Sequence, residues 1–550
     1  MIKPKESVLK MEDYIPPLFK REESIRLDFN ENTFGCSSKV VQAIKNFDVN
    51  KISVYPDYAF IKEKLSGYVG VNDRQLLLSN GADESIKLIF DTYIEEGEEI
   101  IIPVPTFAMF KFYASIAQAK IKEIQYENDL TFPTKRVIDS ITGDTKVVVL
   151  VNPNNPTGTI ISRNEILEII RVAKKNDAIV LIDEAYYEFY GNSSFDLIDD
   201  FDNVIVVRTF SKAFGLAGLR FGYVLSNENI IRFLIKVSSP YNVNSFSLIA
   251  VDAALDDLNF VNNYVYEILD NKNYVLEELN CLGIFTYPSN ANFVLAYFGD
   301  DCERVCDLLR DKNILVRNRS SDVLLDGFIR ITIGTRSQCN IFLDEVKKLF
   351  SRKLMLFDMD GVLVDVSNSY RTAAKLTAEF FTGEKITYED IESYKKIPGY
   401  NNDWDLTEAI INDKGWLVEK NKIINKFQEF YLGEKFDGLI NNETWMLDKG
   451  ILEALYGKYR LGIVTGRPKI EAEFALKING MESFFDIMIT KDDVLEEKPR
   501  PEGIFKALDF FNENRAVYFG DTINDKIAAS EAKIGFVLVE NNINKILRRF

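Results

Sequence analysis

The sequence predicts an α/β protein in two parts, the first built on a mostly parallel sheet. Three observations carry this. Short apolar runs of strand length alternate with helical patterns along the chain. The runs end in polar residues able to do chemistry, which is where open α/β sheets place ligands. The chain has 550 residues, too many for one ordinary domain.

Composition bounds the function. With 46% hydrophobic and 27% charged residues the chain can bury an ample core and remain soluble. A net charge of -18 argues against nucleic acid and anionic membranes as partners. A phosphorylated substrate must then be drawn in by local Lys and Arg. Residues 1–25 are polar and charged, so no signal peptide is expected, and no apolar run approaches membrane-spanning length. Five cysteines are too few for a disulfide framework, and the cytosol is the expected compartment. Cys302 and Cys306 stand four apart on a predicted helix, but zinc is not expected in a chain without histidine. The same absence excludes histidine triads and leaves acid-base work to Lys, Asp, Glu, Tyr or Cys.

In the first part, Leu27-Asp-Phe-Asn-Glu-Asn-Thr33 and Tyr55-Pro-Asp57 follow a polar N-terminal arm. Leu76-Leu-Leu-Ser-Asn-Gly-Ala-Asp-Glu84 reads as a strand, a glycine turn and a helix from about Asp83. The N–H groups of such a helix start can bind an anion, although an ordinary turn reads the same way. Pro105-Thr-Phe-Ala-Met-Phe110 supplies aromatics for a planar ring or for the core. The strand Val147-Val-Val-Leu-Val151 runs into the turn Asn152-Pro-Asn-Asn-Pro-Thr-Gly158. The strand Val180-Leu-Ile182 ends in Asp183-Glu-Ala-Tyr186, and a carboxylate there is costly unless paired. A pyridinium nitrogen is a suitable partner.

After the strand Val204-Ile-Val-Val207 comes Thr209-Phe-Ser-Lys-Ala-Phe-Gly-Leu-Ala-Gly-Leu-Arg220. Lys212 lies between Ser211 and Arg220, both able to bind phosphate oxygens. A lysine amine beside an anion cluster suits pyridoxal phosphate, which needs both. A surface lysine after a core strand would look the same. Ile314-Leu-Val-Arg317 and Phe328-Ile-Arg-Ile-Thr-Ile-Gly-Thr335 each put an arginine into an apolar strand, calling for an anion or an internal salt bridge.

These motifs, in this order, resemble the fold-type I pyridoxal phosphate aminotransferases, and most closely the histidinol-phosphate aminotransferases. The resemblance implies large and small domains, the large over about 45–240, the small from the N-terminal arm plus about 241–350. It implies that Lys212 takes the cofactor aldehyde and shuttles the proton, and that Asp183 keeps the pyridine nitrogen protonated. Tyr186 and Asn155 would hold the ring hydroxyl, and Phe110 would stack on the ring. Ser211, Arg220 and the backbone at Ala82 and Asp83 would hold the cofactor phosphate. Tyr55 would reach the phosphate of a partner subunit, which implies a homodimer. Arg317 and Arg330 would bind the glutamate carboxylate and the phosphate of the other substrate, and Pro240-Tyr-Asn-Val-Asn244 would line the substrate pocket.

The second part, 353–550, opens with the strand Lys353-Leu-Met-Leu-Phe357 and Asp358-Met-Asp-Gly-Val-Leu-Val-Asp365. Leu461-Gly-Ile-Val-Thr-Gly466, Glu497-Lys-Pro-Arg-Pro501 and Val517-Tyr-Phe-Gly-Asp-Thr-Ile-Asn-Asp525 follow. Four such loops in order are similar to the haloacid dehalogenase superfamily of phosphatases, a Rossmann-like fold with a helical cap. The resemblance implies that Asp358 is the nucleophile and that Asp360 protonates the leaving alcohol and then activates water. Thr465 and Lys498 would bind the phosphoryl group. Asp358, the backbone carbonyl of Asp360 and Asp521 would hold Mg²⁺, with Asp525 supporting that shell. The cap would span about 366–446 and contains all three tryptophans, Trp404, Trp416 and Trp445. Packing between cap helices and lining of the phosphatase entrance are both open to them. Phe350-Ser-Arg-Lys353 makes a short linker between the parts, within a first part of 1–350.

Together the two resemblances imply a bifunctional enzyme of histidine biosynthesis. Transfer from glutamate to imidazole-acetol phosphate would give histidinol phosphate, which the second part would hydrolyse. The same motifs would serve dihydroxyacetone phosphate, giving serinol phosphate and then serinol. A pyridoxal phosphate decarboxylase of a phosphorylated amino acid is a third reading.

Overall fold

The structure, a computed structural model, describes residues 4–9, 11, 21–349, 354–395, 403–540 and 542–550. The expected linker Phe350-Ser-Arg-Lys353 lies outside them. The chain forms two compact units. One takes the residues up to Leu279 and Thr286–Leu349; the other takes those after Leu349 together with Asn280–Phe285.

The first unit holds two sheets. Seven strands form the larger, in the order Leu76–Ser79, Gly222–Ser226, Val204–Thr209, Ile179–Asp183, Thr145–Val151, Glu99–Val104, Lys120–Gln125. Gly222–Ser226 alone runs opposite to the other six strands. The central strands are buried on both faces, which is why they read as unbroken Val and Ile runs rather than as alternation. The smaller sheet has the order Ile25–Leu27, Ile314–Asn318, Phe328–Thr332, Phe293–Tyr297, Thr286–Tyr287.

One turn needs its glycine. Gly81 has φ 84° and precedes the helix Ala82–Tyr93. A Cβ there would lie 2.7 Å from the Arg220 guanidinium, so glycine meets both the left-handed backbone and the close approach.

The second unit carries a five-stranded, all-parallel sheet. Its order is Ile487–Ile489, Arg460–Val464, Leu354–Phe357, Ala516–Gly520, Gly535–Leu538. A short antiparallel ribbon, Val364–Asp365 with Thr444–Trp445, leads out to a helical insert and back. The insert contains Tyr370–Thr382, Tyr388–Lys395, Asp403–Asp413 and Lys420–Tyr431. It has an apolar core of its own around Ile410, Ile423 and Phe427. Trp416 is half exposed, whereas Trp445 packs against the core of the sheet.

Candidate active sites

In the first unit, strand ends of the seven-stranded sheet and residues of the smaller sheet line a cleft of about 800 Å³. Lys212 follows the strand Val204–Thr209, and its Nζ donates to the Phe29 carbonyl at 3.0 Å. Asp183 ends the next strand, is 3% exposed and accepts an N–H from Ala185 at 2.9 Å. Burial pushes its carboxyl up to about 7, only partly opposed by the Ala185 N–H and, less, by the Lys212 ammonium. The Tyr186 hydroxyl accepts from Asn30 Nδ2 at 2.9 Å. Ser211 lies against the Thr209 hydroxyl, at 2.9 Å between the two oxygens.

At the helix start, Ala82 and Asp83 face the same cleft, and no side chain caps Ala82–Tyr93. The Arg220 guanidinium pairs with the Asp83 carboxylate at 2.7 Å. Arg330 is buried, donates to Asn155 Oδ1 and to the Asp28 carbonyl, and leaves Nε without a hydrogen-bond partner. Burial, with Arg319 and Arg317 nearby, pulls its guanidinium down to about 10, still charged at neutral pH. Arg317 lines the cleft beside it, while Arg319 is paired with Asp322.

Two expectations, Phe110 on the ring and the segment from Pro240 to Asn244 in the substrate pocket, miss the cleft. Phe110 is wholly buried in the core of the large sheet; Phe107, three residues earlier and half-buried, faces the cleft instead. The helix Met109–Ile116 turns Phe110 inward, while Phe107 stands before its first turn, nearest the strand end. Distance from the strand end was the available signal. Tyr55 is 75% exposed and stacks on Tyr241 at 4.2 Å, in a separate hollow that also holds Val243 and Asn244. Tyr241, Val243 and Asn244 therefore accompany Tyr55 rather than the Lys212 cleft.

The second unit has a cleft of about 710 Å³ at the strand ends of its sheet. Asp358 is 5% exposed and its Oδ1 lies 2.9 Å from Lys498 Nζ. The same ammonium reaches Asp525 at 2.6 Å and the Tyr518 hydroxyl at 3.0 Å. Burial pushes the Asp358 carboxyl well above the usual range, against the pull of Lys498. Asp525 is buried too, yet the Lys498 ammonium holds it below that range. Oxygens of Asp358, Asp521 and Asp525 lie within 4.8 Å of one another. Three carboxylates so close, with one ammonium among them, fit a divalent cation. Asp360 lies elsewhere in the cleft, its carboxylate taken by Arg467. Thr465 is buried, accepts the Arg467 N–H at 3.2 Å and is not part of the cleft wall. Trp404 lines this cleft from the insert.

Residues 22–346 match the family of aminotransferase class I and II. The chain belongs to the class I and II aminotransferases. Residues 355–539 match the haloacid dehalogenase-like hydrolases, so this aminotransferase also carries a hydrolase domain. A histidinol-phosphate aminotransferase of Thermoanaerobacter sp. is 38% identical over 330 residues, covering 59% of this chain and 92% of that one. The crystal structure of the histidinol-phosphate aminotransferase from Clostridium acetobutylicum aligns with TM-score 0.56 at 26% identity, over 59% of this chain and 98% of that chain. The enzyme of that name from Sinorhizobium meliloti, solved in complex with pyridoxal-5'-phosphate, shares the fold at 22% identity. It covers 64% of this chain and 99% of its own, with TM-score 0.58. No helix among the described residues is long and apolar enough to cross a membrane.

Proposed function

We propose that this class I and II aminotransferase moves the amino group of glutamate to imidazole-acetol phosphate and then hydrolyses the histidinol phosphate it has made. The observation that carries the reading is the pairing of sites in one chain. Buried Arg330 beside Arg317 suits a phosphorylated, carboxylate-bearing pair of substrates. The product would be a phosphate monoester, the substrate class suited to Asp358 and its neighbours.

The residues of the first cleft fit pyridoxal phosphate. Asp183 is a buried carboxylate whose charged form gains from a cationic ring nitrogen. The uncapped helix start at Ala82, with Ser211 and Arg220, forms an anion site. When bound, the cofactor supplies an electron sink for the carbon bearing the amino group. Lys212 would hold its aldehyde and carry a proton between substrate atoms. Tyr186 and Asn155 would orient the ring, Phe107 would cover it, and Arg317 and Arg330 would fix the two substrates in turn.

In the second cleft Asp358 would attack phosphorus, and Asp360 would hand a proton to the departing alcohol and later take one from water. Lys498 would neutralise charge on the phosphoryl oxygens, with Thr465 behind it. Mg²⁺ held by Asp358, Asp521, Asp525 and the Asp360 carbonyl would offset the repulsion between carboxylate and phosphate. A cytosolic homodimer completes the proposal; the exposure of Tyr55, away from its own cleft, supports reach into a partner subunit.

The test is incubation with glutamate, Mg²⁺ and either imidazole-acetol phosphate or dihydroxyacetone phosphate, following 2-oxoglutarate and free phosphate. Both products from the imidazole substrate, with far less from the other, are expected. Efficient turnover of dihydroxyacetone phosphate alone would move the assignment to serinol formation. Release of CO₂ without 2-oxoglutarate would point to a decarboxylase.

A further inference from the structure

We propose that Arg467 is a positioning residue that holds the Asp360 side chain and fastens it to the helical insert; this rests on the phosphatase reading above. Arg467 has no exposed side-chain surface. Its Nε donates to Asp360 Oδ1, and its Nη1 donates to Glu443 Oε2 at 2.9 Å. The guanidinium lies 5.4 Å from the centre of the Tyr370 ring.

The contacts continue into the insert. Glu443 Oε1 accepts from the Tyr431 hydroxyl at 2.9 Å and from Ser369 Oγ at 2.8 Å. The Tyr370 hydroxyl donates to Glu471 Oε2, whose Oε1 accepts from Gln428 Nε2 at 3.0 Å. Tyr370, Gln428 and Tyr431 are on insert helices, and Glu443 immediately precedes the returning ribbon strand Thr444–Trp445. The network thus runs from insert and ribbon, through one guanidinium, to the carboxylate proposed as acid and base.

A buried guanidinium is costly unless its partners are fixed, so it fixes them. Glu443 is buried on one side of it, with its side chain 6% exposed. Asp360, at 37%, is the one end that opens to the cleft. Arginine is required because its planar fork reaches two carboxylates at set angles, whereas a lysine ammonium is a single point. With the insert seated, Asp360 is held where it can meet the leaving oxygen; with Glu443 withdrawn, that orientation is lost.

The role predicts a dependence on the leaving group. An alkyl phosphate needs a proton on its departing oxygen, whereas p-nitrophenyl phosphate releases a stable anion and does not. The experiment measures kcat and KM for both ester types with the full chain and Mg²⁺, in Arg467→Lys, Arg467→Met and Glu443→Gln. The ratio of kcat on the alkyl ester to kcat on the aryl ester should fall about tenfold or more in both Arg467 variants, general acid help being worth ~10²–10⁴. It should fall less in Glu443→Gln, and the change should sit in kcat rather than KM. Both rates falling in parallel, at a constant ratio in Arg467→Lys and Glu443→Gln, would overturn the proposal in favour of a purely structural arginine. These two variants keep the test decisive if Arg467→Met does not fold. No phosphate from either ester with the unaltered chain would instead sink the phosphatase reading, and this role with it.

Discussion

Arg317 and Arg330 stand directly opposite each other, in register, on the antiparallel strands Ile314–Asn318 and Phe328–Thr332. Like charges so placed destabilise a sheet, by up to about 1 kcal/mol. Asp322, the nearby carboxylate, is already paired with Arg319. An anion bound between the two arginines would relieve this repulsion. Replacing Arg317 by Met should therefore raise KM for the phosphorylated ketone about tenfold or more, a charged hydrogen bond being worth ~1.5–3 kcal/mol. The Tm of the ligand-free protein should not fall. A lower Tm with unchanged KM would show that the pair serves the fold instead.

In the proposed cofactor site, Asp183 would link cofactor binding to pH. Its carboxyl titrates near 3.8 when unfolded and at about 7 when buried in the folded chain. Between those values the folded state holds the extra proton. This group's contribution to stability is therefore most favourable below about pH 4 and is lost as pH rises towards about 7, by roughly 4 kcal/mol. Cofactor-free protein should lose Tm across that window, and Asp183→Asn should lose less. Loading with pyridoxal phosphate gives the carboxylate a cationic partner and should flatten the slope. An identical slope in the Asn variant would place the titration elsewhere.

The two activities should separate by single substitutions. Lys212→Ala should abolish 2-oxoglutarate formation while leaving phosphate release from added histidinol phosphate intact, since each lysine and carboxylate set belongs to one unit. Asp358→Asn should do the reverse and allow the phosphorylated amino alcohol to accumulate. Loss of both activities in either variant would contradict two independent sites.

Sequence reasoning reached the strands and their terminal residues because a buried strand is an unbroken apolar run and its end is where a polar residue first appears. Lys212, Asp183 and Asp358 were legible for that reason. What lies one helical turn further on was not. Phe107 and Phe110 are three residues apart, and only the direction of the helix after them decides which one meets the cleft. Arg467 carries no such mark in the sequence, although it stands two residues beyond Thr465 after a buried strand. Its importance depends on Glu443 and Tyr370, brought to it from 24 and 97 positions away by the return of the insert.

Gly361 offers a test of the cation site that leaves every carboxylate in place. It has φ +71°, and a Cβ there would fall 2.0 Å from Asp521 Oδ2. Alanine there both strains the backbone, at about 1–2 kcal/mol, and displaces the Asp521 carboxylate from its neighbours Asp358 and Asp525. Displacement weakens the cation without removing a ligand. Gly361→Ala should raise the Mg²⁺ concentration for half-maximal phosphate release about tenfold or more, and excess Mg²⁺ should recover part of the rate. Chelation should stop phosphate release in the unaltered chain and leave 2-oxoglutarate formation untouched. A variant with lower rate at unchanged Mg²⁺ dependence would show that Asp521 moved without affecting a metal, and the three carboxylates would then need another explanation.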